Sequence, residues 1–498
     1  MKSKTDLFHL IKAMSKSEKR YFTLDAQKSG RKESRYLELF QVINDLEEYD
    51  EAVLKTQFGK SLPTDKSYLY DAILRSMRDY RSANSYAAKI KEMIMDARYL
   101  YEHGLYELSE SQLQKAKKLS LELGDQLSAI ELNKEHRRLL KYTRQKGYEQ
   151  KLEELILEKT TLIEQLDQEL FFLDTHDKLL IELRKSSQNP TVEQQQEIEI
   201  RFNHLYKSIE STPTTPQGKL RFYQSLALLN QLLGKSDKVH QYYLQIIECW
   251  DSKPKYKEEE FYLYIVDISN LIQLALGDPA QSVLIPKLLA KLEKEQPNNL
   301  HDQKVLFQRI TSFQLINAIN TGDFSDVKGI IKRIEKGLKQ YDIARGSEIV
   351  IIFNVAFLLF LAEEFKLCQN WTEKIMKRGE ITFIRQDIQT ASRIISLIAS
   401  FEVEEFERIE TLIRSTTRYL RKLEKKEDDF ILAIFNFLKK MHINTDHLKV
   451  MKQIRKYVTA AINAKVKVAL GLDELVLYWI EGKISNRSIA TIIKTKLF

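Results

Sequence analysis

Side chains able to do chemistry are common in this sequence but rarely spaced to do it. His442 and His447 stand five residues apart beside Asp446, a spacing that does not put both imidazoles on one helical face, and no third or fourth ligand accompanies them. They read as surface or capping residues. The carboxylates Glu258, Glu259 and Glu260 form a run of the kind that usually marks a solvated helix face. Cys249 and Cys368 are too few for a disulfide framework and too far apart for a metal-ligand pair, which fits a reducing cytoplasm. The sequence has no phosphate loop, dinucleotide fingerprint or nucleophile elbow. It therefore implies no catalytic residue, no cofactor and no metal, and points to a protein that binds rather than reacts.

The elements that must position any binding residues are helices. In 498 residues there are only 15 Gly and 8 Pro, whereas sheet-rich folds need frequent turn residues. Hydrophobic residues make up 43% and charged residues 30%, an ordinary balance for a folded chain. A net charge of +8, from 78 basic and 70 acidic side chains, permits nucleic acid as a partner without favouring it. The opening Met1, Lys2, Ser3 and Lys4 precede a stretch broken by His9 and Lys12, so no secretory signal is expected. The most apolar stretch, Ile349 to Ala362, is interrupted by Asn354 and is shorter than the roughly 18 to 20 residues of a spanning helix; it reads as a helix buried on all sides. No membrane contact is expected.

A repeat sets the architecture. After Gly104 come Tyr106, Ser109, Leu113 and Ala116, the last three separated by four and three residues and so on one helical face. The same spacing recurs at Ile198, Phe202 and Leu205; at Val239, Tyr243 and Ile246; at Val327, Ile331 and Ile334; and at Ile409, Ile413 and Thr416. Weaker copies include Leu152 and Ile156 after Gly147, Cys368 and Ile375, Val450, Ile454 and Tyr457, and Ser282 with Leu289 after Gly277, where Pro286 must kink or restart the helix. The turn positions fall near 104, 147, 193, 234, 277, 322, 363, 404 and 445, a period of 41 to 46 residues. Trp250 and Trp371 sit where packing between helices is expected.

This order of small residue, aromatic and apolar face resembles the tetratricopeptide repeat, over about residues 90 to 465, with helices longer than that family's. Tyr223, Leu226 and Ala227, like Ile352, Val355 and Ala356, occupy the positions where the family's first helix has Trp, Leu and Gly. The resemblance implies an all-α fold, a right-handed alpha solenoid of about nine tetratricopeptide-like helix pairs whose neighbours bury one another's apolar sides. It also implies a partner-binding groove lined by first helices, in which Arg98, Tyr101, Arg137, Lys141 and Arg144 form a basic, partly aromatic strip for a protein or peptide. The chain is further similar to uncharacterised bacterial proteins sharing the segments Ser15 to Phe22 and Tyr478 to Arg487, a likeness that carries a fold and no activity.

Both ends stand outside the period. Residues 1 to 88 read as a helical cap with helices at Asp6 to Met14, Ser17 to Gln27, Ser34 to Leu46, Asp50 to Phe58 and Lys66 to Tyr80. The last two, joined by a loop from Gly59 to Asp65 and carrying Arg75, Arg78 and Arg81, admit a second reading as a helix-turn-helix in a transcriptional regulator. Against it stand the loop's length and the acidic Glu47, Glu48, Asp50 and Glu51. Residues 466 to 498, with Trp479 and Gly482, read as a helical cap docked on the last repeat, or as a tail pairing with another copy.

Overall fold

The computed structural model describes residues 5–28, 35–143, 147–185, 190–377, 385–422, 429–443, 446–464, 466 and 468–497. Among these residues the regular elements are all helices and there is no strand. The first five are α1 (Asp6–Ala13), α2 (Lys16–Lys28), α3 (Arg35–Asp45), α4 (Glu51–Phe58) and α5 (Leu62–Ser82). They enclose a core of their own, including Leu7, Ile11, Phe22, Phe40, Ile43, Leu54 and Ile73. Asp50 starts α4 by accepting from the N–H groups of Ala52 and Val53 at 2.8 and 3.2 Å. The connection to α5 is shorter than the sequence implied, because the helix resumes at Leu62. Pro63 lies in its first turn, where a missing N–H costs nothing. Arg35 pins the turn by donating to the Phe58 carbonyl, the Ser61 hydroxyl and Asp65.

The chain packs as two compact units, residues 1–271 with 297–300, and residues 272–296 with 301–498. This division follows packing, so it does not coincide with the limits at 88 and 465 that the repeat phase marks. In the first unit follow α6 (Tyr86–Glu102), α7 (Tyr106–Leu123), α8 (Gln126–Thr143), α9 (Tyr148–Lys185), α10 (Val192–Phe202), α11 (His204–Lys207), α12 (Pro216–Leu232), α13 (Ser236–Ser252) and α14 (Pro254–Glu259). Next, α15 (Phe261–Gly277) carries the chain into the second. Neighbours pack in chain order, α6 on α7, α7 on α8, α8 on α9 and α12 on α13, while α6 also reaches α8.

Three features of this unit depart from the sequence reading. First, α9 is a single helix of 38 residues, about 57 Å long, where a pair was expected; no Gly or Pro interrupts it between Tyr148 and Lys185. Its Ile156 is accordingly exposed rather than part of a buried face. Second, the acidic run is only partly solvated: Glu258 is exposed, whereas Glu259 and Glu260 are half-buried. Glu259 accepts from the Ser85 hydroxyl and the Tyr86 N–H, both at 2.7 Å, and Glu258 from the Tyr86 hydroxyl at 3.0 Å, so α14 is tied to the positive end of α6. Third, α14 also meets α7, where Lys255 pairs with Glu122, so the unit folds back on its own first hairpin.

In the second unit lie α16 (Ile285–Glu293), α17 (Leu300–Thr321), α18 (Val327–Gln340), α19 (Arg345–Leu361), α20 (Phe365–Met376), α21 (Gln386–Glu402), α22 (Phe406–Lys422), α23 (Asp429–Ile443), α24 (His447–Asn463), α25 (Leu472–Ser485) and α26 (Ile489–Leu497). Pro286 restarts the helix at α16 as expected, and Ser282 before it is exposed, not on a buried face. One apolar core runs through α18 to α25, and the helices α19, α21 and α23 stack in succession. Nearly all of α19 from Ile349 onward is buried, as its apolar run requires, as are Trp371 and, in the first unit, Trp250. Hairpin turns in both units share a left-handed residue, at Gly104, Gly147, Gly234, Gly322, Glu363 and Glu404, all near the positions the repeat marks.

The C-terminal helices do more than cover the last hairpin. Besides packing on α24, they double back: the Trp479 indole donates to Glu402 at 2.8 Å, Lys483 pairs with the same carboxylate at 2.6 Å, and Ile493 lies against Gly322. Thus α25 and α26 strap the turn ends of earlier hairpins. Among the described residues no helix is long and apolar enough to cross a membrane.

Candidate functional site

The predicted groove residues separate into two sets. Arg98 on α6 points at α8, where it holds Glu131 at 2.8 Å and Glu135 at 2.9 Å, and Lys91 takes the other Glu131 oxygen at 2.7 Å. Its charge is thereby matched, and this face is mixed rather than basic. Tyr101 is the centre of an aromatic cluster with Tyr106 and Tyr142, ring centroids 5.7 Å away in each case, and those two lie 5.1 Å from each other. The Arg138 guanidinium sits 4.5 Å above the Tyr101 ring. Arg137 and Lys141 share the adjoining flank of α8, one turn apart, and the contacts of Arg98 and Tyr101 run to Glu131, Glu135, Arg138 and Tyr142 instead. Arg144 lies outside the described residues.

The α8 residues beside Tyr101 are Arg138 and Tyr142, each one position along from Arg137 and Lys141. Tyr99, Tyr106, Arg138 and Tyr142 were missed, although Arg138 and Tyr142 are four apart and must share a face. Tyr99 is 61% exposed, Tyr142 63% and Met95 61%. Tyr142 and the stacked Arg138 are residue types enriched at protein interfaces, while Tyr99, two residues from Tyr101 and so on the far side of α6, packs on His103. The hydrogen bond with Tyr142 pushes the Tyr106 hydroxyl up to about 12, so it remains a neutral donor. Beside the patch, α7, α8 and α9 border a trough of about 470 Å³ lined by Glu110, Lys117, His136, Lys151, Glu154 and Glu158, among others. Lys117 pairs with Glu158 at 2.5 Å, and burial holds the His136 imidazole neutral by lowering its affinity for a proton.

A second polar group lies inside the first unit. Asp267 interrupts the apolar face of α15 and is only 4% exposed, with burial pushing its carboxyl up to about 6. It accepts from the Trp250 indole at 2.8 Å and from the Gln224 amide at 3.0 and 2.9 Å, while Arg221 donates to Gln224 at 3.0 Å. Tyr256 stacks on Trp250 with centroids 5.2 Å apart. The signal for this network was present as a lone carboxylate in an otherwise apolar helix.

Neither cysteine is set up as a nucleophile: burial pushes both thiols up, away from the thiolate. Among the described residues no group of three or more His, Cys, Asp or Glu is placed to hold a metal ion. His442 faces Glu410 at 3.9 Å, and His447 begins α24. No family model, curated protein or solved structure matches this chain.

Proposed function

We propose that the chain is a non-enzymatic interaction scaffold, a right-handed solenoid of about nine tetratricopeptide-like hairpins that binds a protein or peptide partner in the cytoplasm. The observation that carries this reading is the largely exposed Tyr142 ring with the Arg138–Tyr101 stack beside it, where α6 meets α8. Exposed rings cost little entropy to order and supply much of the energy of an interface. The left-handed turns that recur with the repeat support the solenoid. The test is affinity purification of wild type beside an Arg138→Ala, Tyr142→Ala double variant. A partner held by the wild type and lost from the variant is the expected result; equal recovery from both contradicts the patch as the binding surface.

One observation favours a second reading, a regulator that touches DNA through its first helices. The turn of Gly59–Ser61 is as short as a helix-turn-helix requires, and Arg75, Arg78 and Arg81 are exposed along α5. Asp71 and Asp79 are interleaved with them, which ranks this reading second. Mobility shift at two salt concentrations decides it: no shift at low salt removes the DNA reading.

A further inference from the structure

Gly124 ends α7 in the left-handed conformation, and a side chain there would strike the ring of Pro216 at 2.8 Å. This close approach brings the turn Asp125–Gln126 against α9 and the start of α12, leaving a cavity of about 180 Å³ between them. Leu127, Leu166, Leu170 and Leu173 form its apolar wall; Asp125, Gln126, Glu169, Gln217 and Arg221 supply its polar groups. Leu127 and Leu170 are 66% and 49% exposed, which leaves the cavity an outer rim.

Two acceptors in this cavity lack a donor. Glu169 is 7% exposed and Gln126 6%, and Oε1 of each has no hydrogen-bond partner. An orphaned buried acceptor costs about 1 to 3 kcal/mol, more when charged, so such atoms call for an explanation. The protein supplies little positive charge to Glu169. Thr215 offers it a hydroxyl, Asp125 adds like charge, and burial pushes its carboxyl up to about 7. Arg221 gives Nη1 to Gln224, and among the described residues no ion pair joins it to Glu169.

We propose that this cavity binds a small primary amine, its ammonium group held by the free oxygens of Glu169 and Gln126 and its aliphatic body packed on the four leucines. The ammonium supplies the charge and the donors the site lacks, and the leucines fit an apolar body. A volume below the roughly 300 to 1,000 Å³ of drug-sized pockets restricts the occupant to a few heavy atoms. The same chemistry is offered by a free apolar amino acid and by the amino-terminal residue of a peptide. On binding, the ammonium replaces the proton of Glu169, which is released. The titratable groups facing Glu169 are Asp125 before α8 and Tyr256 on α14, and Arg221 on α12 lines the same cavity. Burial also pushes Asp267 up, to about 6, which leaves Glu169 the nearer of those two to neutrality.

The site is separate from the tyrosine patch, so either can fail alone. The test is calorimetric titration of the full chain at pH 7.5, in two buffers of different ionisation heat, with 3-methylbutylamine, L-leucine, Leu-Gly-Gly and 4-methylpentanoate. The first should bind and release part of a proton; the carboxylate, which lacks the amine, should not bind. Glu169→Gln, which keeps the volume, should weaken binding at least tenfold with the fold intact by circular dichroism, and Gln126→Leu should weaken it less. Leucine binding without the tripeptide assigns the source to a free amine, the reverse to a peptide terminus, and either supports the cavity. Equal binding of 4-methylpentanoate, undiminished binding by Glu169→Gln, or no saturable binding of any amine, with only water filling the cavity, would overturn it.

Discussion

The interiors of the two units differ in the polar groups they bury. In the second, α19 and α21 bury Ile352, Phe360, Leu359, Ile395 and Ile398 completely or nearly so, and the polar side chains buried beside them on α21, Gln389, Ser392, Ser396 and Ser400, are neutral. In the first, α8, α9 and α15 bring Gln126, Glu169 and Asp267 out of water, and Oε1 of both Gln126 and Glu169 is left without a partner. A helix needs neither of those carboxylates to be stable, and dehydrating them opposes folding. An amide or hydroxyl can be buried without charge, whereas a buried carboxyl must keep its proton or find a counter-charge.

Substitutions can break or sharpen this contrast. The largest effect belongs to the apolar side. Phe360→Ala should cost about 4 kcal/mol in chemical denaturation, because a buried ring leaves a cavity no neighbour fills. Next comes Glu169→Gln, with the opposite sign. A carboxyl whose folded value is raised to about 7 from 4.5 binds protons that the unfolded chain has lost, so its contribution to stability declines as pH rises through that window. At pH 8 the variant should be more stable than wild type by on the order of 3 kcal/mol, and at pH 4 nearly equal to it. His136 and His176, held neutral chiefly by burial, act in the other direction, losing stability as pH falls through about 6.5, but equally in both proteins. Trp250→Phe removes one of the donors to Asp267 and should cost about 2 kcal/mol, with a steeper decline of stability from pH 5 to 8. Smallest is Tyr142→Ala, which should change thermal stability by less than about 0.5 kcal/mol because its ring is already in water.

The helical architecture was legible because its signals are local. Spacings of four and three residues placed Ser109, Leu113 and Ala116 on one face, and all three are buried. Turn positions were readable even where a glutamate replaces glycine, as at Glu363 and Glu404, since hydrophobic phase fixed them. What escaped depends on residues far apart in sequence. Glu259 is 173 residues from the Tyr86 amide it caps, and nothing in the run Glu258 to Glu260 announces that contact. Likewise Glu169 lies among Glu164, Asp167 and Asp174 on a long helix, where pattern alone assigns it to solvent. Tyr101 was found and its partner Tyr142 missed because the register of α8 against α6 is set by packing, and an error of one residue turns a side chain through 100°.

Hydrogen exchange measured segment by segment, on wild type and Glu169→Gln at pH 5 and pH 8, bears most directly on a receptive polar interior in the first unit. At pH 8 the opening free energies of α9 and α12 should be higher in the variant and those of α19 and α21 unchanged, with the difference cut to about a quarter at pH 5. Equal protection at both values, or a variant less protected in α9 at pH 8, would mean that Glu169 is satisfied as it stands and that the first interior is as inert as the second.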